Sequence, residues 1–178
     1  MKKKILLADE LLADFITVYS KYYIVDTLWN VDNKELDFTK YDALVASGLF
    51  KISTSLIKKL TNIKIISLFA VGYDNVDLNI CKNKNITVSN TPDVLTIDVA
   101  DLALTLLLSL SRNILLAHNY ILKDNWKNKG PMELTDSVNL KKVGIVGLGQ
   151  IGKEFAKKAE ALSIDISYFG PRKKNNKY

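Results

Sequence analysis

The sequence predicts an α/β protein built on a parallel sheet, and three observations predict it. Short apolar runs alternate with stretches whose apolar residues recur at helical spacing. Several of those runs are apolar throughout, as strands buried on both faces must be. Late in the chain, an apolar run (Val143, Ile145, Val146) meets Gly147, Gly149 and Gly152 in the spacing G-x-G-x-x-G. An amphipathic segment follows, with Ile151, Phe155, Ala159 and Leu162 on one helical face. A chain of 178 residues, 48% hydrophobic and 25% charged, suits one or two compact units with a real core.

Taken in order, Lys4–Ala8 reads as a buried strand ending at Asp9 and Glu10. Leu11–Tyr19 has helical apolar spacing. Tyr22–Leu28, rich in aromatic and β-branched residues, is a second strand. Tyr41–Ser47 is a third, closed by Gly48. Thr54–Leu60 is a short helix capped by Ser53. Ile63–Phe69 is a fourth strand, Leu78–Lys82 a short helix and Ile86–Ser89 a fifth strand. Asn90–Asp98 is a loop in which Pro92 fixes the backbone and Thr96 caps the next helix. That helix, Val99–Leu116, is apolar nearly all round at Leu102, Ala103, Leu106, Leu107 and Leu110, so burial on several sides, against two domains or a partner chain, is expected. Trp126–Pro131 reads as loop, with Trp126 a packing residue, and Ile164–Phe169 is the last strand.

Two stretches carry chemistry. In the glycine turn, Gly147 allows the sharp bend, Gly149 lets backbone approach a pyrophosphate, and Gly152 lets helix pack on strand. The helix start offers unpaired N–H groups and its positive dipole end to phosphates. Strand before and helix after are both present, which is the context a dinucleotide site needs. The second stretch is Ala70–Asp77, just past the carboxyl end of a central strand, where ligands sit in such folds. The N–H groups of Val71 and Gly72 can hold a carboxylate there without a cationic side chain. An ordinary turn through Tyr73, Asp74 and Asn75 fits the same residues.

The remaining composition narrows the classes. Net charge is +6, but the lysines are scattered without aromatic interleaving, so solvated surface is expected rather than a nucleic-acid partner. After Lys2–Lys4 the apolar stretch stops at Asp9, too short for a signal core. The apolar region Leu102–Leu110 is well below a membrane span. The one cysteine, Cys81, excludes an internal disulfide framework and suits a reducing cytosol, so a cytoplasmic protein is expected. No activating histidine neighbours Cys81 in sequence, and the one histidine, His118, has neither triad partner nor metal-ligand spacing.

Five ordered blocks together resemble the D-isomer-specific 2-hydroxyacid dehydrogenases, the group that contains glyoxylate/hydroxypyruvate reductases. They are VGYDNVD (Val71–Asp77), NTPDVLT (Asn90–Thr96), VADLAL (Val99–Leu104) with Arg112, Trp126, and VGIVGLGQIG (Val143–Gly152). The resemblance implies a flavodoxin-like substrate domain over residues 1–97, then a crossover helix and the beginning of a Rossmann dinucleotide-binding domain over 98–178. It implies substrate-carboxylate contacts at Val71 and Gly72. Cofactor contacts are implied at Thr96, Gly147, Gly149, Gln150, Ile151 and Gly152. It also implies a homodimer through the Val99–Leu116 helix and a small 2-oxo or 2-hydroxy acid as substrate.

Two departures qualify what is implied. NAD-preferring members carry an acidic residue at the end of the next strand, whereas Gly170 stands here, followed by Arg172, Lys173 and Lys174. A missing carboxylate beside cations suits a 2′-phosphate, so NADP is favoured over NAD. In the resembling enzymes the fold also runs on beyond the equivalent of Tyr178, and that part carries the arginine, glutamate and histidine of catalysis. The ending KKNNKY suits an A-rich coding tract, so a truncated or split gene product is expected, inactive alone. The alternative is a non-catalytic dinucleotide-binding or interaction fragment.

Overall fold

The computed structural model describes residues 2–30 and 36–173. The chain divides into two compact units, Met1–Val94 and Leu95–Tyr178.

In the first unit, five strands form one parallel sheet in the order β2-β1-β3-β4-β5. They are β1 (Lys4–Leu7), β2 (Ile24–Thr27), β3 (Ala43–Ser47), β4 (Ile65–Phe69) and β5 (Thr87–Ser89). The register sets Leu6 beside Leu44 and Leu44 beside Ile66. That row joins Ala46, Leu68, Ile57 and Cys81 in a core on one face, under α2 (Thr54–Lys59) and α3 (Leu78–Asn83). On the opposite face Ile5, Leu7 and Val45 bury Leu12 among Phe15, Ile16 and Tyr19. Because β1 and β3 are buried on both faces, they read as continuous apolar runs. Ser53 caps α2 as its position predicts, its Oγ accepting from Leu56 N at 3.2 Å. Asp77 caps α3 through Asn79 N and Ile80 N.

The expected helix over Leu11–Tyr19 is a tighter 3-10 turn, Glu10–Phe15, running into α1 (Ile16–Ser20). Asp9 precedes that turn, but its carboxylate accepts from Ser47 N at 2.8 Å and does not cap it. A Tyr41–Asp26–Lys4 network ties the first three strands. Tyr41 Oη donates to Asp26 Oδ2 at 2.5 Å, and Lys4 Nζ meets the same oxygen at 2.8 Å.

The second unit contains α4 (Thr96–Ser111), α5 (Ile114–Leu122), α6 (Asn125–Lys129), β6 (Lys142–Val146), α7 (Gln150–Glu160) and β7 (Asp165–Phe169). β6 and β7 pair in parallel, from Lys142 beside Asp165 to Val146 beside Phe169. α7 packs on this pair and on α4, where Ala100, Ala156 and Ala159 are fully buried. Lys158 Nζ reaches Asp101 Oδ1 at 2.6 Å between the two helices.

Three expectations change in this unit. Thr96 is the first residue of α4 rather than its cap: Leu95 occupies the cap position, and no side chain bonds the helix start. The single helix expected over Val99–Leu116 is two helices, bent by 58°. Asn113 adopts a left-handed backbone (φ 48°), which asparagine tolerates better than most residues, and α5 starts afresh from it. Within the single chain Leu106 and Leu110 are 61% and 78% exposed, so their apolar faces are open to a partner. Trp126 lies in α6 rather than in a loop, and it is exposed. Among the described residues, no single helix is long and apolar enough to cross a membrane.

Candidate functional site

In the first unit, the loop from Ala70 to Asp77 leaves the carboxyl end of β4, a strand held between β3 and β5. Its neighbour is the loop after β3. A Cβ at Gly48 would stand 3.0 Å from Ala70 Cβ, so the absence of a side chain there lets the two loops close up. Asn75 then staples them. Its Nδ2 donates to Phe50 O at 2.7 Å and to Ser47 O at 3.3 Å, while Ile52 N donates to Asn75 O at 3.0 Å. On the other side, Thr91 N donates to Ala70 O and Asn90 Nδ2 to Val71 O, each at 2.8 Å. The predicted pair, Val71 and Gly72, is exposed. Among the described residues no acceptor takes either N–H. Two adjacent free N–H groups on a braced loop can accept an anion the size of a carboxylate.

Sequence reading named Val71 and Gly72 but missed Asn75 and Asn90 as the residues that brace them. Asn75 carried a signal, an asparagine inside a turn. Asn90 carried none until the sheet register put the end of β5 beside β4.

In the second unit, β6 ends at Val146 and Gly147 N bonds Phe169 O at 2.8 Å, continuing the ladder one step beyond the strand. Gly147 has φ 93°, outside the usual range of L side chains. Gly149 precedes α7 with open space around it: a Cβ there would meet nothing within 4 Å. A Cβ on Gly152 would lie 2.5 Å from Gly147 O and 3.3 Å from Ile145 Cγ2, so only glycine allows this close approach of helix to strand. Leu148 is buried and anchors the turn. The N–H groups of Gln150, Ile151 and Gly152 form the first turn of α7 and have no acceptor within the helix. Among the described residues, no side chain caps that end. A sharp turn, a vacancy and three free donors at a helix start fit a phosphate group.

Arg172 and Lys173 are exposed and follow β7, whose end lies beside the end of β6. They therefore leave the sheet at the same edge as the glycine turn; Lys174 lies outside the described residues. Thr96, at the start of α4, is partly buried. Cys81 is buried in α3; burial, then the charge of Asp77, push its thiol pKa up, which suits a core residue and not a nucleophile. His118 is exposed on α5, and Arg112 Nε donates to Thr135 Oγ1 at 2.9 Å.

The fold and the turn define an α/β protein with a glycine-rich strand–turn–helix. The family model for the D-isomer specific 2-hydroxyacid dehydrogenase, catalytic domain, matches residues 5–167, and the chain belongs to that family. It is 46% identical over 127 residues to glyoxylate/hydroxypyruvate reductase A of Arabidopsis thaliana, which covers 71% of this chain and 40% of that one. The structure is similar to that of a 2-hydroxyacid dehydrogenase from Ketogulonicigenium vulgare Y25, with TM-score 0.89, 33% identity, and coverage of 98% of this chain and 57% of the other. It also matches an NADPH-dependent glyoxylate/hydroxypyruvate reductase from Sinorhizobium meliloti in complex with NADP and malonate, with TM-score 0.84 and 27% identity over 98% of this chain and 55% of the other. The chain thus spans about half the length of the relatives it matches.

Proposed function

We infer that this chain carries the binding half of a nicotinamide-dependent oxidoreductase that interconverts a small 2-oxo acid and a D-2-hydroxy acid. The observation that carries the reading is the pair of built backbone sites: free N–H groups at Val71 and Gly72, and free N–H groups beside a vacancy at Gly149. Residues 1–97 act as the flavodoxin-like substrate domain, and residues 98–178 as the crossover and first part of the Rossmann domain.

Val71 and Gly72 hold the substrate carboxylate, which fixes the acid by one end and leaves its 2-carbon free to react. Gly147, Gly149, Gln150, Ile151 and Gly152 hold the cofactor's phosphates at the start of α7, with Thr96 as a further contact. The bound nicotinamide supplies or accepts the hydride at the carbon that bears the 2-hydroxyl. Arg172 and Lys173, with Gly170 in place of an acidic residue, favour a 2′-phosphate and hence NADP over NAD. The naming of the Sinorhizobium meliloti relative as NADPH-dependent supports that preference. The exposed leucines of α4 and α5 support pairing of two copies through these helices rather than through one straight rod. A reducing cytoplasm suits the one buried, unpaired cysteine.

We assign proton transfer to none of the described residues. The chain's one histidine, His118, lies exposed on α5, and Arg112 is bonded to Thr135. The 178-residue chain should therefore bind NADPH, followed by tryptophan fluorescence, and reduce no glyoxylate. Saturable binding without turnover supports the reading. Absence of dinucleotide binding overturns it, and measurable NADPH-dependent reduction of glyoxylate overturns the claim that proton transfer is missing.

A further inference from the structure

We propose that Asn90 is a positioning residue for the carboxylate site, fixing the peptide plane that carries the Gly72 N–H. The proposal rests on the carboxylate reading above and adds the device that aims it.

The Val71 carbonyl and the Gly72 N–H belong to the same peptide unit. That unit is planar and trans, so its C=O and N–H point in opposite directions. Asn90 Nδ2 donates to Val71 O at 2.8 Å. Holding the carbonyl toward Asn90 turns the Gly72 N–H away from Asn90, out to the exposed side of the loop. One unit earlier the same logic recurs. Thr91 N holds Ala70 O at 2.8 Å, and the other end of that peptide is the Val71 N–H. Two consecutive residues after β5 thus grip two consecutive peptide units after β4. Both freed N–H groups are left without an acceptor among the described residues.

The topology explains why this pair of residues is available. β4 and β5 run parallel, with Ser67 beside Ser89, so the chain leaves both strands at the same edge and in the same direction. The grip has an electrostatic side as well. A carbonyl that accepts a hydrogen bond polarises its own peptide and makes the attached N–H a better donor. The two tethers differ in kind: Thr91 acts through its main chain, whereas Asn90 acts through a side chain that substitution removes.

The test is an NMR titration of the isotopically labelled 178-residue chain with oxamate, an unreactive analogue of a small 2-oxo acid. In the wild type both the Val71 and Gly72 amides should respond. In Asn90→Ala the ligand-free Val71 carbonyl resonance should move, the oxamate Kd read at either amide should rise about tenfold, or about 1.4 kcal/mol, and the Gly72 shift at saturation should shrink. The Val71 shift at saturation should persist, and the thermal midpoint should stay unchanged. Asn90→Asp keeps the shape but loses the donor at neutral pH, so it should match Asn90→Ala; a packing role would be rescued by it. An unchanged Kd and Gly72 saturation shift in both variants, or equal losses of saturation shift at Val71 and Gly72, overturns the positioning role and leaves the carboxylate reading standing. No response in the wild type overturns the carboxylate reading itself, and this proposal with it.

Discussion

Gly152 faces the carbonyl oxygen of Gly147 so closely that a Cβ at position 152 would lie 2.5 Å from it. The obstacle is backbone, so it does not swing aside as a side-chain tip does. Gly152→Ala should push α7 off β6 and destabilise the second unit by about 1–3 kcal/mol, the range for forced overpacking. Chemical denaturation of the variant checks this, and an unshifted midpoint counts against the close packing.

Gly149 offers the opposite case. A side chain there meets nothing within 4 Å, and its φ of −83° is open to any residue. Gly149→Val should fold with wild-type stability yet lose NADPH binding, because the new methyls fill the space kept for phosphate. Stable protein with undiminished NADPH affinity would sink the cradle assignment.

The Tyr41–Asp26–Lys4 network gives a pH signature. Burial alone pushes the Asp26 carboxyl up, but the bonds from Lys4 and Tyr41 outweigh it and hold its pKa below the ordinary 3.8. A depressed folded-state pKa contributes stability above the unfolded value, lost as pH falls through the folded one. The protein should therefore weaken below about pH 4. Tyr41→Phe should cost about 1.5 kcal/mol at neutral pH, the lower end for a bond to a charged group, and should flatten the acid limb. Urea midpoints at neutral and acid pH measure both.

Arg172 tests the cofactor preference. Arg172→Ala should weaken NADPH binding about tenfold or more, as loss of a charge-assisted bond does, and leave NADH binding alone. Parallel fluorescence titrations with the two nucleotides decide it. Equal losses would mean that Arg172 does not read the 2′-phosphate.

Much of this was legible in the residues. The buried strands announced themselves as unbroken apolar runs, and Ser53, Gly147 and Gly152 sat where the cap, the turn and the helix packing needed them. What escaped had physical reasons. Asn113 breaks a helix that no glycine or proline interrupts, since an asparagine's left-handed backbone leaves no compositional mark. Apolar spacing in α4 showed which residues avoid water but not what would cover them. Asn90 acts on Val71 across 19 positions, a contact that only strand register reveals.

The narrow gap between Gly48 and Ala70 has a consequence for how this loop pair drifts over generations. Growth at position 48 is tolerable only if position 70 gives ground first, and alanine has one methyl to give. What position 48 can hold is therefore tied to the size of position 70. A library that randomises position 48 alone should favour glycine there, whereas randomising both should recover larger residues at 48 paired with glycine at 70.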